Sequence, residues 1–158
     1  MKKLAALARS FRYAGRGIAR SVRSERNLRI HLCAVAFVLL TGAFERLTAA
    51  QWAAELICCA LVIALELVNT ALENVCDALC PEKNDGIGRA KDAAAGAVLA
   101  AAVFSAAVWA VILLRGDGNL ARLCEAFSHA ALPCLLGLWA IASALIVFLP
   151  ENSNDTEE

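Results

Sequence analysis

Residues 66–79 read ELVNTALENVCDAL and follow directly on the run AAELICCALVIAL, which is typical of a helix in lipid. At about 100° per residue, four polar side chains of this stretch fall within one sector of about 80° on the helix surface: Glu66, Asn69, Glu73 and Asp77. A carboxylate near hydrocarbon is costly unless it faces protein, water or cations. The polar stripe therefore predicts a functional site rather than a lipid-facing surface.

The composition indicates a small integral membrane protein. The chain has 158 residues, of which 60% are hydrophobic, and its mean hydropathy is +0.62, which is high for a soluble domain. Residues 1–30 hold nine Lys and Arg side chains against one acidic residue, Glu25. Apolar residues recur there every three or four positions, so we predict an amphipathic helix on an anionic membrane surface. No nucleic-acid partner is expected.

The predicted fold is an all-α membrane bundle in two parts, a domain at 1–115 and a C-terminal extension at 116–158. The domain comprises a surface helix and three spans, and the extension comprises one apolar helix and an acidic tail. The predicted bounds of these helices are 1–27, about 28–44, 51–79, 90–114 and about 132–149. The Lys and Arg distribution predicts that the N-terminus and the 80–91 loop are cytoplasmic. The apolar helix of the extension either spans as a fourth helix or lies in the interface.

The residues at the end of the polar stripe suit phosphoryl transfer from a nucleotide. This chemistry needs carboxylates for a divalent metal, a cation on the phosphoryl group and a group that deprotonates the acceptor. Glu66, the deepest carboxylate, is the candidate base, Glu73 is placed for metal and Glu25 could complete the site. Lys91 and Asp92 begin the next helix across a short loop. A proton-coupled transporter using Glu66 is the alternative, but the carboxylates cluster toward one end, which favours surface chemistry.

Three further features were assigned from the residues alone. The N-terminal arginines are expected to anchor the chain to the lipid surface, and Arg12, Arg16 and Arg29 are candidate phosphate contacts. Glu55, near the outer end of the second span, is expected to be a solvated interface residue. Residues 132–150 contain no Asp, Glu, Lys, Arg or His, so they are expected to take no part in the chemistry.

Three segments resemble the small bacterial membrane lipid kinases, the diacylglycerol kinase and undecaprenol kinase family. They are ERNLRIH (25–31), ELVNTALENVCD (66–77) and GRAKDAAAGAVL (88–99), and the likeness spans about residues 11–114. The sequences of these motifs resemble those of the undecaprenol kinases more closely than those of the diacylglycerol kinases. The resemblance implies ATP- and Mg²⁺-dependent phosphorylation of a lipid alcohol, undecaprenol or alternatively diacylglycerol. It also implies a homotrimer with sites between subunits, in the bacterial inner membrane, with the active site at the cytoplasmic face.

The resemblance also implies roles for individual residues. Glu66 takes the position of the catalytic base. The metal ligands would be Glu25, Glu73 and Asp77. The substrate and phosphate contacts would be Asn69, Lys91, Asp92, Tyr13 and Gly17. Glu82 and Asn84 fall in the nucleotide loop, and Asn84 departs from the His that many relatives have there.

Overall fold

Six helices make up the part of the chain that the structure describes. The structure is a computed structural model and describes residues 2–45, 47–80, 82, 84–115, 119–129 and 131–148. The helices are α1 (Lys2–Ser24), α2 (Arg26–Glu45), α3 (Ala49–Leu79), α4 (Asp85–Arg115), α5 (Asn119–Ser128) and α6 (Ala131–Val147). No strand occurs in these ranges, so the all-α prediction is confirmed.

Helices α2, α3 and α4 are long and apolar enough to cross a membrane, as the sequence predicted. The most extensive helix pair is α3 with α4, and α2 packs on α3. At about 1.5 Å per residue, α3 is about 46 Å long, whereas the hydrocarbon core is about 30 Å thick. The last turns of α3, which carry the polar stripe, can therefore project beyond the hydrocarbon. We call this end of the bundle, where α1 meets α2 and α3 leads to α4, the polar end.

Most of the large apolar side chains lie on the outside of the bundle. Leu61 of α3 and Phe104 of α4 are examples of exposed apolar residues within the spans. In a bilayer, lipid tails or neighbouring subunits replace the water that would oppose such exposure. The surface is therefore that of a multi-pass membrane protein.

The helix ends differ from the predicted bounds where side chains cap them. The surface helix stops at Ser24 rather than 27, and Glu25 separates it from α2. Helix α3 begins at Ala49 because Thr48 and Gln51 form a capping box. Helix α4 begins at Asp85 rather than about 90, since the Asn84 side chain accepts hydrogen bonds from the first backbone N–H groups of the helix.

The extension contains a helix that the sequence analysis missed. Helix α5 lies against α2 and α4 at the end of the bundle opposite to the polar end. Its Leu123 forms a buried apolar cluster with Leu113 of α4 and Leu132 of α6. Helix α6 covers most of the predicted 132–149 segment and packs on α2. The acidic tail at 151–158 lies outside the described residues.

The expectation that Glu55 is solvated is wrong. Glu55 is buried in α3 and lines an otherwise mainly apolar cavity of about 240 Å³ with residues of α2 and α4, among them Val35 and Trp109. Helix α3 is apolar all round at this depth, so the local pattern does not reveal which face turns inward. The packing of α2 and α4 against this face explains the burial.

Candidate active site

Helix α3 carries the buried part of the polar stripe. Glu66, Asn69 and Thr70 are all buried, although α3 is apolar for most of its length. The Thr70 hydroxyl donates to the Glu66 carbonyl at 3.0 Å, which satisfies this hydroxyl within the helix. The Glu66 and Asn69 side chains are thus left to face the neighbouring helices.

These side chains share a cavity between three helices. Its volume is about 220 Å³. Its lining residues are Asn27 and His31 of α2, Glu66, Asn69 and Glu73 of α3, and Ala95, Val98, Leu99 and Ala102 of α4. The small residues of α4 leave room beside the α3 stripe. We call this space the carboxylate cavity.

Asn69 connects the buried and the more exposed parts of the stripe. Its Nδ2 donates to Oε1 of Glu73 at 3.0 Å, so the amide fixes the Glu73 carboxylate. The Asn69 Oδ1 is buried and finds no hydrogen-bond partner among the described residues. A buried acceptor of this kind is expected to bind a donor when the site is filled.

Glu25 lies at the break between α1 and α2, close to the carboxylate cavity. Its carboxylate accepts a hydrogen bond from the Ser24 hydroxyl at 3.3 Å. The negative charges of Glu25 and Glu73 both act on Glu66. The structure therefore places two of the predicted metal ligands, Glu25 and Glu73, within electrostatic range of the predicted base.

A second pocket lies further toward the polar end, where α3 leads to α4. Lys91 Nζ donates to Asp77 Oδ1 at 2.5 Å, an ion pair that joins the two helices. The pocket has a volume of about 370 Å³ and is lined by Asp77, Cys80, Glu82, Asn84, Asp85, Ile87, Gly88 and Lys91. We call it the loop pocket. It contains both predicted loop residues, Glu82 and Asn84.

Besides Glu25, four predicted residues lie outside both pockets. Tyr13 is 63% exposed, and the Arg16 guanidinium lies 5.0 Å from the centre of its ring. Gly17 is in open space, since a Cβ added there would meet no atom within 4 Å. Asp92 is exposed on the first turns of α4. In this single chain, the surface helix does not bring its predicted residues to the carboxylate cavity.

The sequence analysis missed Asn27 and His31 as cavity residues. Both belong to the segment ERNLRIH, and their spacing of four residues places them on one face of α2. His31 also lines the cavity beside Glu55. The signal was therefore present in the motif, but it did not show that this face of α2 turns toward Glu66.

The carboxylates do not form a closed metal cage. Within the described ranges, no group of three His, Cys, Asp or Glu side chains is placed to hold a metal ion. Mg²⁺ is usually bound through one or two carboxylates together with water and substrate phosphates. One or two carboxylates would therefore be enough to hold this ion.

The chain matches a known protein family. The model of the prokaryotic diacylglycerol kinase family matches residues 12–113, which contain α2, α3, nearly all of α4 and just over half of α1. The chain belongs to this family. It is a membrane lipid kinase, and membership of the family implies ATP as the co-substrate.

Two curated relatives each match over 106 residues. Undecaprenol kinase of Bacillus subtilis is 38% identical over 106 residues, which are 67% of this chain and 86% of the relative. Diacylglycerol kinase of Synechocystis is 39% identical over 106 residues, which are 66% of this chain and 61% of the relative. No solved structure gave a significant match. The matches leave about a third of the chain uncovered, and α5 and α6 lie beyond the family segment.

Proposed function

We propose that the protein transfers the terminal phosphoryl group of ATP to the hydroxyl of undecaprenol, yielding undecaprenyl phosphate and ADP. The observation that carries the proposal is the burial of Glu66 in a cavity with Asn69 and Glu73, beside the pocket that holds Lys91. The Bacillus relative, of which the match covers 86%, is named an undecaprenol kinase. Diacylglycerol is the alternative acceptor, because the Synechocystis relative is named for it.

The order of the residues along α3 supports this reaction. Asn69, Glu73 and Asp77 follow Glu66 by three, seven and eleven residues, or about 4.5, 10.5 and 16.5 Å along the axis. A lipid hydroxyl would enter the carboxylate cavity at Glu66. The nucleotide would approach through the loop pocket, with its phosphates toward Glu73. The polar stripe then extends from the lipid hydroxyl, which accepts the phosphoryl group, to the nucleotide, which donates it.

Each residue of the stripe then has a chemical role. Glu66 accepts the proton of the lipid hydroxyl while that oxygen forms a bond to the γ-phosphorus and the bond to ADP breaks. Asn69 holds the Glu73 carboxylate in place through its Nδ2. Lys91 lines the loop pocket and provides a positive charge that attracts the nucleotide phosphates. Asp77 orients the Lys91 ammonium group through their ion pair.

Glu25 and Glu73 would hold Mg²⁺, with Asp77 supporting them from the next turn of α3. A bound Mg²⁺ supplies neutralisation of phosphate charge in reactions of this type. Carboxylate oxygens are the ligands that it prefers, and the hydrogen bond from Asn69 fixes one of the Glu73 oxygens. The donor set thus fits the ion that the kinase chemistry requires.

We place the protein in the bacterial inner membrane, with its N-terminus and active site at the cytoplasmic face. The nine Lys and Arg residues before position 30 support this orientation. We also propose a homotrimer with sites completed between subunits. Ala95 and Leu99 line the carboxylate cavity and are nonetheless exposed, so a second subunit can pack at its open side.

The direct test offers several lipid alcohols to the purified protein. Protein in detergent or vesicles, with labelled ATP and Mg²⁺, is given undecaprenol, diacylglycerol and ceramide in parallel. We expect phosphorylated undecaprenol to form fastest and the reaction to stop when Mg²⁺ is chelated. Faster phosphorylation of diacylglycerol would reverse the substrate assignment. Absence of any phosphorylated lipid would refute the proposed function.

A further inference from the structure

Helix α6 runs antiparallel to α2 and returns to the polar end of the bundle. The Trp139 Nε1–H donates to the Cys33 carbonyl at 3.1 Å, and the Trp139 ring lies 5.2 Å from that of Phe37. Further along α6, the Val147 carbonyl accepts from Nη2 of Arg29 at 3.5 Å. The contact residue on α6 advances from 139 to 147, whereas its partner on α2 moves back from 33 to 29. The two helices are therefore antiparallel. The C-terminus of α6 thus lies beside the start of α2.

Arg29 holds the ends of two helices at this point. Its side chain is 3% exposed, and Nη1 donates to the carbonyls of Val22 at 3.2 Å and Arg23 at 2.9 Å, in the last turn of α1. A helix C-terminus leaves carbonyl groups without partners inside the helix, and a cation there is favourable. The guanidinium of Arg29 supplies donors to both α1 and α6.

Glu25 lies at the junction between α1 and α2, where the Arg29 side chain donates hydrogen bonds to the end of α1. It is the residue between α1 and α2, and its carbonyl accepts from the Arg29 backbone N–H at 3.3 Å. Beside it, the guanidinium of Arg26 lies 5.4 Å from the centre of the Phe148 ring, just beyond α6. The direction of the Glu25 carboxylate therefore depends on the angle between α1 and α2. Arg29, which belongs to α2 and donates to the carbonyls of α1, fixes this angle.

We propose that α6 is a fourth membrane-spanning helix, and that Arg29, held against its C-terminus, is a positioning residue that sets Glu25 for metal binding. The positioning role rests on the proposed function, in which Glu25 holds Mg²⁺. The extension, which lies beyond the matched family segment, thereby supports the active site from outside. This differs from the expectation that residues 132–150 take no part in the chemistry.

The first experiment measures the Mg²⁺ concentration for half-maximal kinase activity in full-length variants. Groups that orient metal ligands typically contribute about 10- to 100-fold to metal affinity or activity. We expect Arg29→Gln to raise the half-maximal Mg²⁺ concentration by this factor, and Arg29→Lys to restore part of the loss. The ATP concentration for half-maximal activity at saturating Mg²⁺ should change much less, whereas a general loss of folding would lower activity at every Mg²⁺ concentration.

Variants of α6 separate its contribution from that of Arg29 itself. Trp139→Phe keeps an aromatic ring beside Phe37 and removes the N–H together with the second ring of the indole, a small enough change that the variant is expected to fold. Loss of this one hydrogen bond should raise the half-maximal Mg²⁺ concentration by about two- to tenfold. Leu138→Ala is the control, since Leu138 is 65% exposed on the same helix, and it should leave the value unchanged. Equal values for Trp139→Phe and the unmodified protein would overturn the positioning role of α6.

The second experiment tests where α6 ends and does not depend on activity. In a chain whose seven native cysteines are replaced, Arg26→Cys is combined with Phe148→Cys and treated with a short bifunctional maleimide. We expect rapid cross-linking within the chain. The control combines Arg26→Cys with Leu135→Cys, about 20 Å further back along α6, and should not react. Cross-linking only in the control pair, or in neither pair, would overturn the antiparallel fourth helix.

The two experiments distinguish failure of this inference from failure of the proposed function. A protein without Mg²⁺-dependent lipid phosphorylation would refute the proposed function, and the cross-link would still report the position of α6. An active kinase whose Mg²⁺ dependence is the same in Arg29→Gln and in the unmodified protein would refute only the positioning role.

Discussion

Replacement of Glu66 by Gln tests the proposed base most directly, because a second carboxylate on the same helix serves as its control. Glu66 and Glu55 are each 3% exposed and lie eleven residues apart on α3, about 16.5 Å along the axis. Gln keeps the size of the side chain, so neither variant creates a cavity. Removing a buried carboxylate also removes the cost of keeping its charge out of water. Both variants should therefore unfold at or above the temperature of the unmodified protein.

Only one of the two variants should lose turnover. A general base typically contributes about 10²- to 10⁴-fold to the rate, which corresponds to about 2.7–5.5 kcal/mol of activation free energy. We expect Glu66→Gln to lower kcat by this factor and Glu55→Gln to leave it unchanged. Nucleotide affinity should persist in both, because the loop pocket is lined by other residues.

The assay compares initial rates of lipid phosphorylation at saturating ATP and Mg²⁺, together with nucleotide binding and thermal unfolding of the same samples. If Glu66→Gln kept more than about a tenth of the normal kcat, a base contributing at least about 100-fold would be refuted. An equal loss in Glu55→Gln would show that the effect comes from any buried carboxylate of α3 rather than from the proposed site.

Other substitutions test the remaining parts of the site and the fold. Glu73→Gln should raise the Mg²⁺ concentration for half-maximal activity, with recovery at excess Mg²⁺, and an unchanged Mg²⁺ titration would make Glu73 only structural. Lys91→Met should raise the KM for ATP about tenfold or more, because it removes a charge from the phosphates; an unchanged KM would contradict this role. Asn84→Ala should lower the free energy of unfolding by about 0.5–2 kcal/mol through loss of the α4 cap, whereas Asn84→Asp should not. Gly42→Ala should cost about 1–3 kcal/mol, since the added Cβ would lie 3.0 Å from the Trp52 ring; chemical denaturation would measure both.

The polar stripe and the spans could be predicted because both depend on local patterns. Apolar runs of sufficient length define α2, α3 and α4, and the helical period places Glu66 and Asn69 together on one face. The hydrogen bond from Asn69 to Glu73 joins residues four apart, the spacing of neighbours on a helix surface. Contacts among the predicted residues of α3 are therefore mostly contacts within one helix, which the helical spacing alone can predict.

The parts that the sequence analysis missed depend on packing between helices. Glu55 lies in a stretch that is apolar on every side, so its burial depends on where α2 and α4 contact α3. Helix α5 has Leu120, Leu123 and Phe127 at helical spacing, but it is only ten residues long. A helix of that length is too short to span and could not be distinguished from a polar connection by hydropathy.

The contact between α2 and α6 could not be read from the sequence for a further reason. It pairs Cys33 with Trp139 and Arg29 with Val147, which are 106 and 118 positions apart. Helix α6 is apolar on all sides, so no face of it is marked as the one that packs. Trp139 carries the one local indication, because a buried indole N–H usually finds a hydrogen-bond acceptor. In the folded chain the Cys33 carbonyl of α2 supplies that acceptor, so the contact that satisfies Trp139 also fixes which face of α6 meets α2.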